Sequence, residues 1–402
     1  MLSMGLCSHA GWELASSSAS GRQERRGEMR RNIVPRRKPP FLRQGKLKVA
    51  ATWEIRKEYK DWEQRGCGLC IYNGGLKIVR ESMDTHFQNA LLIHNPNAGS
   101  GGNARRKQID DARRMLAENG IEAELAETTG PGHAVEIARQ ATREMRQLVI
   151  ACGGDGTLNE VVNGLASFHN GHRVPLALLP GGTANVLAKE LSLPWDIPKA
   201  ARRLVGAEVK EIALGLATPL EEPEKKRYFL SLSGAGPDGM IVYSVDLELK
   251  ARVGILAYWW QGAREVLRYK FPRFRVRTGD QQMEATLVVV GRTKNYGGPF
   301  KITDQADLFA DEFEVMALTT QSGMRYLSYL PTLYMGNLRK EKDVHFWKAE
   351  TLVCEPLDAN PVYAQVDGEP LARLPIEFSI VPRALKLVVP RDEVTGKPSI
   401  KA

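Results

Sequence analysis

The stretch VIACGGDGTLNEVVNG, Val149 to Gly164, runs four apolar residues into two glycines, an aspartate, a glycine and a threonine. An amphipathic run follows. Gly153, Gly154 and Gly156 let the backbone turn sharply and come close to a ligand. The helix beginning there offers free N–H groups and a positive dipole end, so phosphate is the chemistry this placement suits. Asp155 is able to hold a hard cation, directly or through water, or to orient a hydroxyl. Thr157 is able to hydrogen-bond a phosphate oxygen. The plainer alternative is a strand-to-helix turn with Asp155 as its cap. The complete G-G-D-G-T after an apolar strand favours phosphate.

Two further loops of this kind stand in equivalent places. HNPNAGSGG (His94–Gly102) and LPGGTANVLAKEL (Leu179–Leu191) each follow an apolar strand. Asn95 and Thr183 are each suited to a helix cap as well as to a ligand. Ligands of parallel sheets bind outside the carboxyl ends of the strands, and three glycine-rich loops there predict a nucleotide phosphate site. Far along the chain, VDGEP (Val366–Pro370) carries Asp367 and Glu369 around an Asp-Gly pair that suits a tight hairpin turn.

The elements that must position these loops are legible as a rhythm. NALLIHN, IEAELAET, QLVIACGG and VPLALLPGG read as strands. They alternate with helices over NARRKQIDDARRMLAENG, GHAVEIARQATREM, GTLNEVVNGLA and TANVLAKEL. Short connections between alternating strands and helices predict an α/β fold with a three-layer parallel sheet. Around residue 207 the rhythm changes. EVKEIALGLA, RYFLSLSGAG, RFRVRTG, MEATLVVVGRT, EFEVMAL, TLVCEPL, VYAQVDGE, IEFSIVP and ALKLVVP read as strands, broken by one long helix at about 250–269. That predicts a second, mainly antiparallel β domain.

The chain has 402 residues, 43% of them hydrophobic, and a formal charge of +9. Residues 1–82 hold 17 Lys+Arg and 8 Asp+Glu, hence +9. The other 320 residues hold 39 of each and sum to zero. The basic balance therefore belongs to the leader, and no nucleic-acid binder is expected in the folded part. Residues 1–82 read either as a disordered basic tail or as sequence ahead of a natural start at Met83. Their charge would also attract anionic lipid. Five cysteines suit a reducing cytoplasm rather than a disulfide framework. Cys67 and Cys70 form a lone CGLC with no second pair to complete a zinc site. No apolar run reaches the ~18–20 residues that span a bilayer, and the N-terminus does not read as a signal peptide.

Six segments carry a resemblance: NPNAGSG, TTGPGHA, GGDGTLNEVVNGL, PGGTANVLAKEL, GAGPDGMI and VDGEP. In that order and spacing the chain is similar to the diacylglycerol kinase catalytic family, soluble bacterial lipid kinases related to sphingosine-kinase-like enzymes. The similarity covers about 88–385. It implies an α/β ATP-binding domain over 83–210 and a β-sandwich domain over 211–392, the active site between them, and a tail at 393–402. It implies that ATP contacts Thr128, the loop from Gly153 through Leu158 to Asn159, and Thr183, with Asn95 in the first loop. Thr128 is also suited to capping the following helix.

The resemblance places the catalytic base on Glu369, which would take the proton of a lipid hydroxyl as it attacks the γ-phosphate. Asp155 is the competing base. Its place in the phosphate loop favours a role organising Mg²⁺ and waters, with Asp367 completing the carboxylate network. The family's metal site in the β domain falls on QADLFADEFEV, with Asp311 and the carbonyls of Leu308 and Phe313 as ligands for Mg²⁺ or Ca²⁺. Glu312 stands where the family often has glycine, and Val186 where many members have aspartate. Tyr258, Trp259 and Trp260 beside a basic run suit either a membrane interface or a core helix. The expected reaction is transfer from ATP to diacylglycerol or a similar lipid alcohol, transiently at the cytoplasmic membrane face; a homodimer is compatible with the resemblance. The alternatives are NAD kinase-like phosphorylation of a soluble acceptor and a non-catalytic nucleotide- or lipid-binding regulator.

Overall fold

The computed structural model describes residues 69–72, 75–78, 87–99, 102–167, 173–244, 266–297 and 300–391. The chain divides into two units, residues 1–80 and 81–402. In the first, β1 (Leu69–Tyr72) and β2 (Gly75–Ile78) pair as an antiparallel hairpin. Cys67, and with it the CGLC reading, lies outside the described residues, as do Tyr258, Trp259 and Trp260. Of the helix expected at 250–269, residues 266–269 are described, and 266–268 are helical.

The second unit opens with four parallel strands. They are β3 (Phe87–His94), β4 (Ile121–Glu127), β5 (Leu148–Gly153) and β6 (Leu176–Pro180), in the spatial order β4-β3-β5-β6. The connecting helices are α1 (Gly102–Glu118), α2 (His133–Arg143) and α3 (Asp155–Ala166). Beyond β6 come α4 (Val186–Glu190) and α5 (Ile197–Arg202). Strand order reverses after β4. Right-handed crossovers therefore send α1 to one face of the sheet and α2 and α3 to the other. The packing agrees: α2 lies on α3, and α1 on α5. The approach of α2 and α3 depends on Gly164, where a Cβ would fall 2.5 Å from Ala138 Cβ. Leu148–Cys152 and Leu176–Leu179 are buried throughout, because helices cover both faces of these strands.

The β region is an antiparallel sandwich. One sheet is formed by β16 (Val344–Ala349), β15 (Phe313–Leu318), β12 (Leu287–Gly291), β9 (Leu232–Ala235), β18 (Tyr363–Val366) and β19 (Glu369–Arg373), in that order. The facing layer contains β10 (Phe274–Thr278), β17 (Thr351–Pro356) and β20 (Ile376–Val389). Period-two alternation fills the space between them. Val288, Val290, Phe313, Val315 and Ala317 point inward to meet Val276, Cys354, Ile376 and Phe378. Leu287, Val289, Met316 and Leu318 point the other way and are covered by α7 (Gly323–Tyr334) through Tyr329. Each fully buried Val or Phe contributes about 1.5–3 kcal/mol.

The two regions share a sheet. Strand β20 pairs in parallel with β6 at Leu387 and Leu176, and antiparallel with β7 (Glu208–Pro219) from end to end. The junction expected at 210/211 falls inside the unbroken strand β7. IEFSIVP and ALKLVVP, read as two strands, form the single strand β20 with a register shift between Val381 and Leu385. Strand β16 and helix α7 had no sequence expectation.

Candidate active site

The strand order sets the place of the site. The loops after β3 and β5 depart to opposite faces, so a crevice opens between them at the point of topological reversal. Asn95 and Thr157 meet across it. Asn95 N donates to Cys152 O at 3.1 Å, and Asn95 Nδ2 donates to Thr157 Oγ1 at 3.0 Å. Asn95 Oδ1 accepts from Asn97 N within its own loop, so the side chain braces two loops rather than capping α1.

The third loop closes on the second by backbone contact. A Cβ on Gly182 would fall 2.4 Å from Gly154 Cα, and one on Gly181 would fall 2.9 Å from Gly153 Cα. Only glycine pairs let two backbones approach so closely. Gly181 N donates to Gly153 O at 2.8 Å. Val186 N donates to Asp155 Oδ1 at 2.7 Å, so the aspartate also ties the loops together. The α3 cap is Gly154, in extended conformation, with no side chain to satisfy the first-turn N–H groups. Burial raises the Asp155 pKa, the N–H groups of Val186 and Asn185 pull it back, and nearby Asp367 adds to the rise.

From the other region, β18 and β19 bring in the hairpin. Asp367 and Gly368 are its two turn residues, with φ of 47° and 85°, and Val366 pairs with Glu369. This is the two-residue turn expected from Asp-Gly. Its carboxylate Asp367 is fully engaged. Oδ1 accepts from Ser231 N and Leu232 N, and Oδ2 from Leu230 N (3.0 Å) and Asn159 Nδ2 (2.8 Å). Asp367 therefore clamps the hairpin to α3 and to the segment ahead of β9. Glu369 then lies against the glycine-rich loop at the start of α3: a Cβ on Gly156 would fall 2.9 Å from Glu369 Oε1.

The sequence matches the diacylglycerol kinase catalytic domain over residues 89–217 and the YegS C-terminal NAD kinase beta sandwich-like domain over 232–389. A diacylglycerol kinase of Staphylococcus aureus (strain bovine RF122) is 30% identical over 308 residues, covering 76% of this chain and 93% of the relative. The chain belongs to the diacylglycerol kinase family. A Bacillus subtilis (strain 168) diacylglycerol kinase is 28% identical over 313 residues, covering 76% of this chain and 98% of its own. A crystal structure of a putative diacylglycerol kinase from Bacillus anthracis shares the fold, with TM-score 0.63, 24% identity, and coverage of 77% and 97%. Membership makes this protein a kinase.

Within this diacylglycerol kinase family member, the remaining site residues divide by exposure. Thr183 is exposed at the tip of its loop, and Thr128 is buried with its N–H on His94 O. Leu158 belongs to the core, and Asn159 Nδ2 is committed to Tyr228 O and Asp367. Leu158 N is spent on Gly154 O at 3.0 Å, within the first turn of α3. The cap of α2 is supplied by Glu160, which accepts from Gly132 N at 2.7 Å and Ala134 N at 3.1 Å, and not by Thr128. Glu160, Asn163 and Gln365 escaped the sequence reading. Asn163 Oδ1 accepts from Tyr228 N, and Gln365 Oε1 accepts from Gly368 N at 2.7 Å. Gln365 Nε2 donates to buried Asp238 in the GAGPDGM segment, whose carboxyl also accepts from Tyr296. Burial raises the Asp238 pKa. Gln365 alternates with the inward Ala364 and Val366 and lies buried on the other face of β18, where no local pattern marks it.

Among the described residues no group of three or more His, Cys, Asp or Glu is placed to hold a metal. A nucleotide-borne Mg²⁺ needs less, one or two carboxylates beside the phosphates; Asp155 stands in the first turn of α3. In the β domain, Asp311 is exposed and Leu308 is buried, its carbonyl accepting from Arg292 Nη2 at 2.7 Å. Phe313 is buried at the start of β15.

Proposed function

We propose that this kinase transfers the γ-phosphate of ATP to the hydroxyl of diacylglycerol or a related lipid alcohol, with Glu369 as general base. The observation carrying this is the contact of the Glu369 carboxylate with Gly156. It sets a base from the β region beside the helix N-terminus suited to phosphate. The Staphylococcus and Bacillus relatives bear the name diacylglycerol kinase, which supports a lipid acceptor.

The loops after β3, β5 and β6 would hold the triphosphate. Backbone N–H groups at Gly153–Thr157, Thr183 at the exposed tip and Asn95 across the crevice are its partners. Asp155 would receive the magnesium that accompanies ATP. That ion neutralises phosphate charge as it develops. Glu369 accepts the proton of the lipid hydroxyl as its oxygen attacks phosphorus. Asp367 is a positioning residue: with four donors on its two oxygens it fixes the hairpin. Reaction then rests on placement and charge rather than a covalent intermediate.

No helix among the described residues is long and apolar enough to cross a membrane. We take the lipid to be met at the cytoplasmic membrane face by peripheral contact. The test is purified protein with γ-labelled ATP and Mg²⁺ against diacylglycerol, other lipid alcohols, NAD and sugar phosphates. Label in a lipid is the expected result. Label in NAD alone would establish the soluble-acceptor alternative, and binding of nucleotide without any transfer would establish a regulator.

A further inference from the structure

The loop ahead of β15 is the segment on which the family resemblance places a divalent cation, through Leu308, Asp311 and Phe313. Whether it fits depends on which oxygens are available. Arg292, directly after β12, enters this loop and is completely buried, the largest such side chain among the described residues. Nη2 donates to Leu308 O at 2.7 Å and Ala213 O at 3.1 Å. Nη1 donates to Glu312 O at 2.9 Å and to Ala310 O. All four N–H bonds of the two terminal nitrogens thus end on carbonyls, and three alternate along the loop. Asp311 and Asp307 face the guanidinium electrostatically. Burial lowers its pKa to about 10, so it is charged at neutral pH.

The loop's other acids have partners too. Glu312 pairs with Lys348, and Asp304 and Glu314 with Arg339. Asp307 Oδ1 accepts from Phe309 N at 2.9 Å. Of the three expected ligands, Leu308 O is already turned onto a cation, and the carbonyls of Ala310 and Glu312 on either side of Asp311 are held by the same cation. A divalent ion would have to share Leu308 O with a permanent positive charge, and releasing that charge would leave it buried and unpaired.

We propose that Arg292 is the resident cation of the 307–313 loop, and that this protein holds the loop without a divalent ion. One guanidinium joins the loop to β12 and, through Ala213 O, to β7, the strand shared by both regions. The fold of the β region is then independent of metal supply, and the need for Mg²⁺ belongs to the nucleotide alone.

The test uses the full chain without nucleotide. Divalent metal is counted in the purified protein by mass spectrometry, and Tm is measured with EDTA, Mg²⁺ or Ca²⁺. The proposal expects far less than one ion per chain and a Tm unmoved by chelator or added ion. Asp311→Asn is expected to shift Tm by no more than about 2 °C, as at an exposed position. Arg292→Met is expected to lower Tm by 5 °C or more, about the effect of stranding several buried carbonyls, or to prevent folding. One bound ion per chain, a wild-type Tm that falls on chelation, a large Asp311→Asn loss, or an unmoved Tm in Arg292→Met would each overturn it.

Discussion

At the scale of single residues, the proposed reaction gives Asp155 and Glu369 separable tasks. Glu369→Gln keeps the shape and removes the base, so turnover should fall about 10²–10⁴-fold with ATP affinity nearly unchanged. Steady-state kinetics with equilibrium nucleotide binding checks this. Near-normal turnover in that variant would transfer the base to Asp155. Asp155 has an oxygen on Val186 N, and asparagine retains that acceptor. Asp155→Asn should therefore keep the loops joined but raise the Mg²⁺ concentration needed for half-maximal rate. The raised Asp155 pKa carries a sign. Between the ordinary carboxylate value and the folded one, the folded state keeps a proton that the unfolded chain has lost. Stability from this source falls as pH rises through the folded pKa. Denaturant melts at a series of pH values should show the wild-type advantage over Asp155→Asn shrinking from about pH 4 upward.

At the scale of elements, the glycines and the hairpin decide the geometry. Gly156→Ala puts a methyl 2.9 Å from Glu369 Oε1, the far end of a flexible side chain. The carboxylate swings aside, so turnover should drop with little change in Tm. Gly182→Ala puts a methyl 2.4 Å from the backbone of Gly154, which has no side chain to move. That variant should lose ATP binding, measured by calorimetry, and melt earlier. Asp367→Ala would strand the N–H groups of Leu230, Ser231 and Leu232 and the Asn159 amide. At ~1–3 kcal/mol for each buried donor left unpaired, it should lose at least about 3 kcal/mol in urea melts. The hairpin's existence was legible from Asp-Gly. Its clamp was not, because Asn159, Leu230 and Asp367 lie far apart in sequence.

At the scale of the whole molecule, the second unit is built round two long strands. Strands β7 and β20 pair along their length, and β20 also extends the parallel sheet at β6. Loss of either region would strip partners from the same strand. A chain trimmed to residues 81–402 should melt in one calorimetric transition. A nucleotide held by the first region should move that whole transition rather than part of it. Two resolved transitions, with only one moved by ATP, would show the regions to be independent.

The sequence by itself determined most element types, the glycine loops and the hairpin turn, because local geometry dictates them. Gly153, Gly154 and the Asp367-Gly368 pair answer to backbone sterics within a few residues, and the 2.0 and 3.6 periodicities answer to burial of one face. It also singled out Asp155 and Glu369, the latter through its resemblance to a family. Tertiary structure alone decided what those residues touch. Hydrogen bonds between distant segments join Asn95 to Thr157, Asp155 to Val186 and Asn159 to Asp367. It also decided that β20 returns to the parallel sheet, and that the Arg292 guanidinium bonds the carbonyls of Leu308 and Glu312. Long-range pairing depends on strand order and register, which no local run of residues encodes.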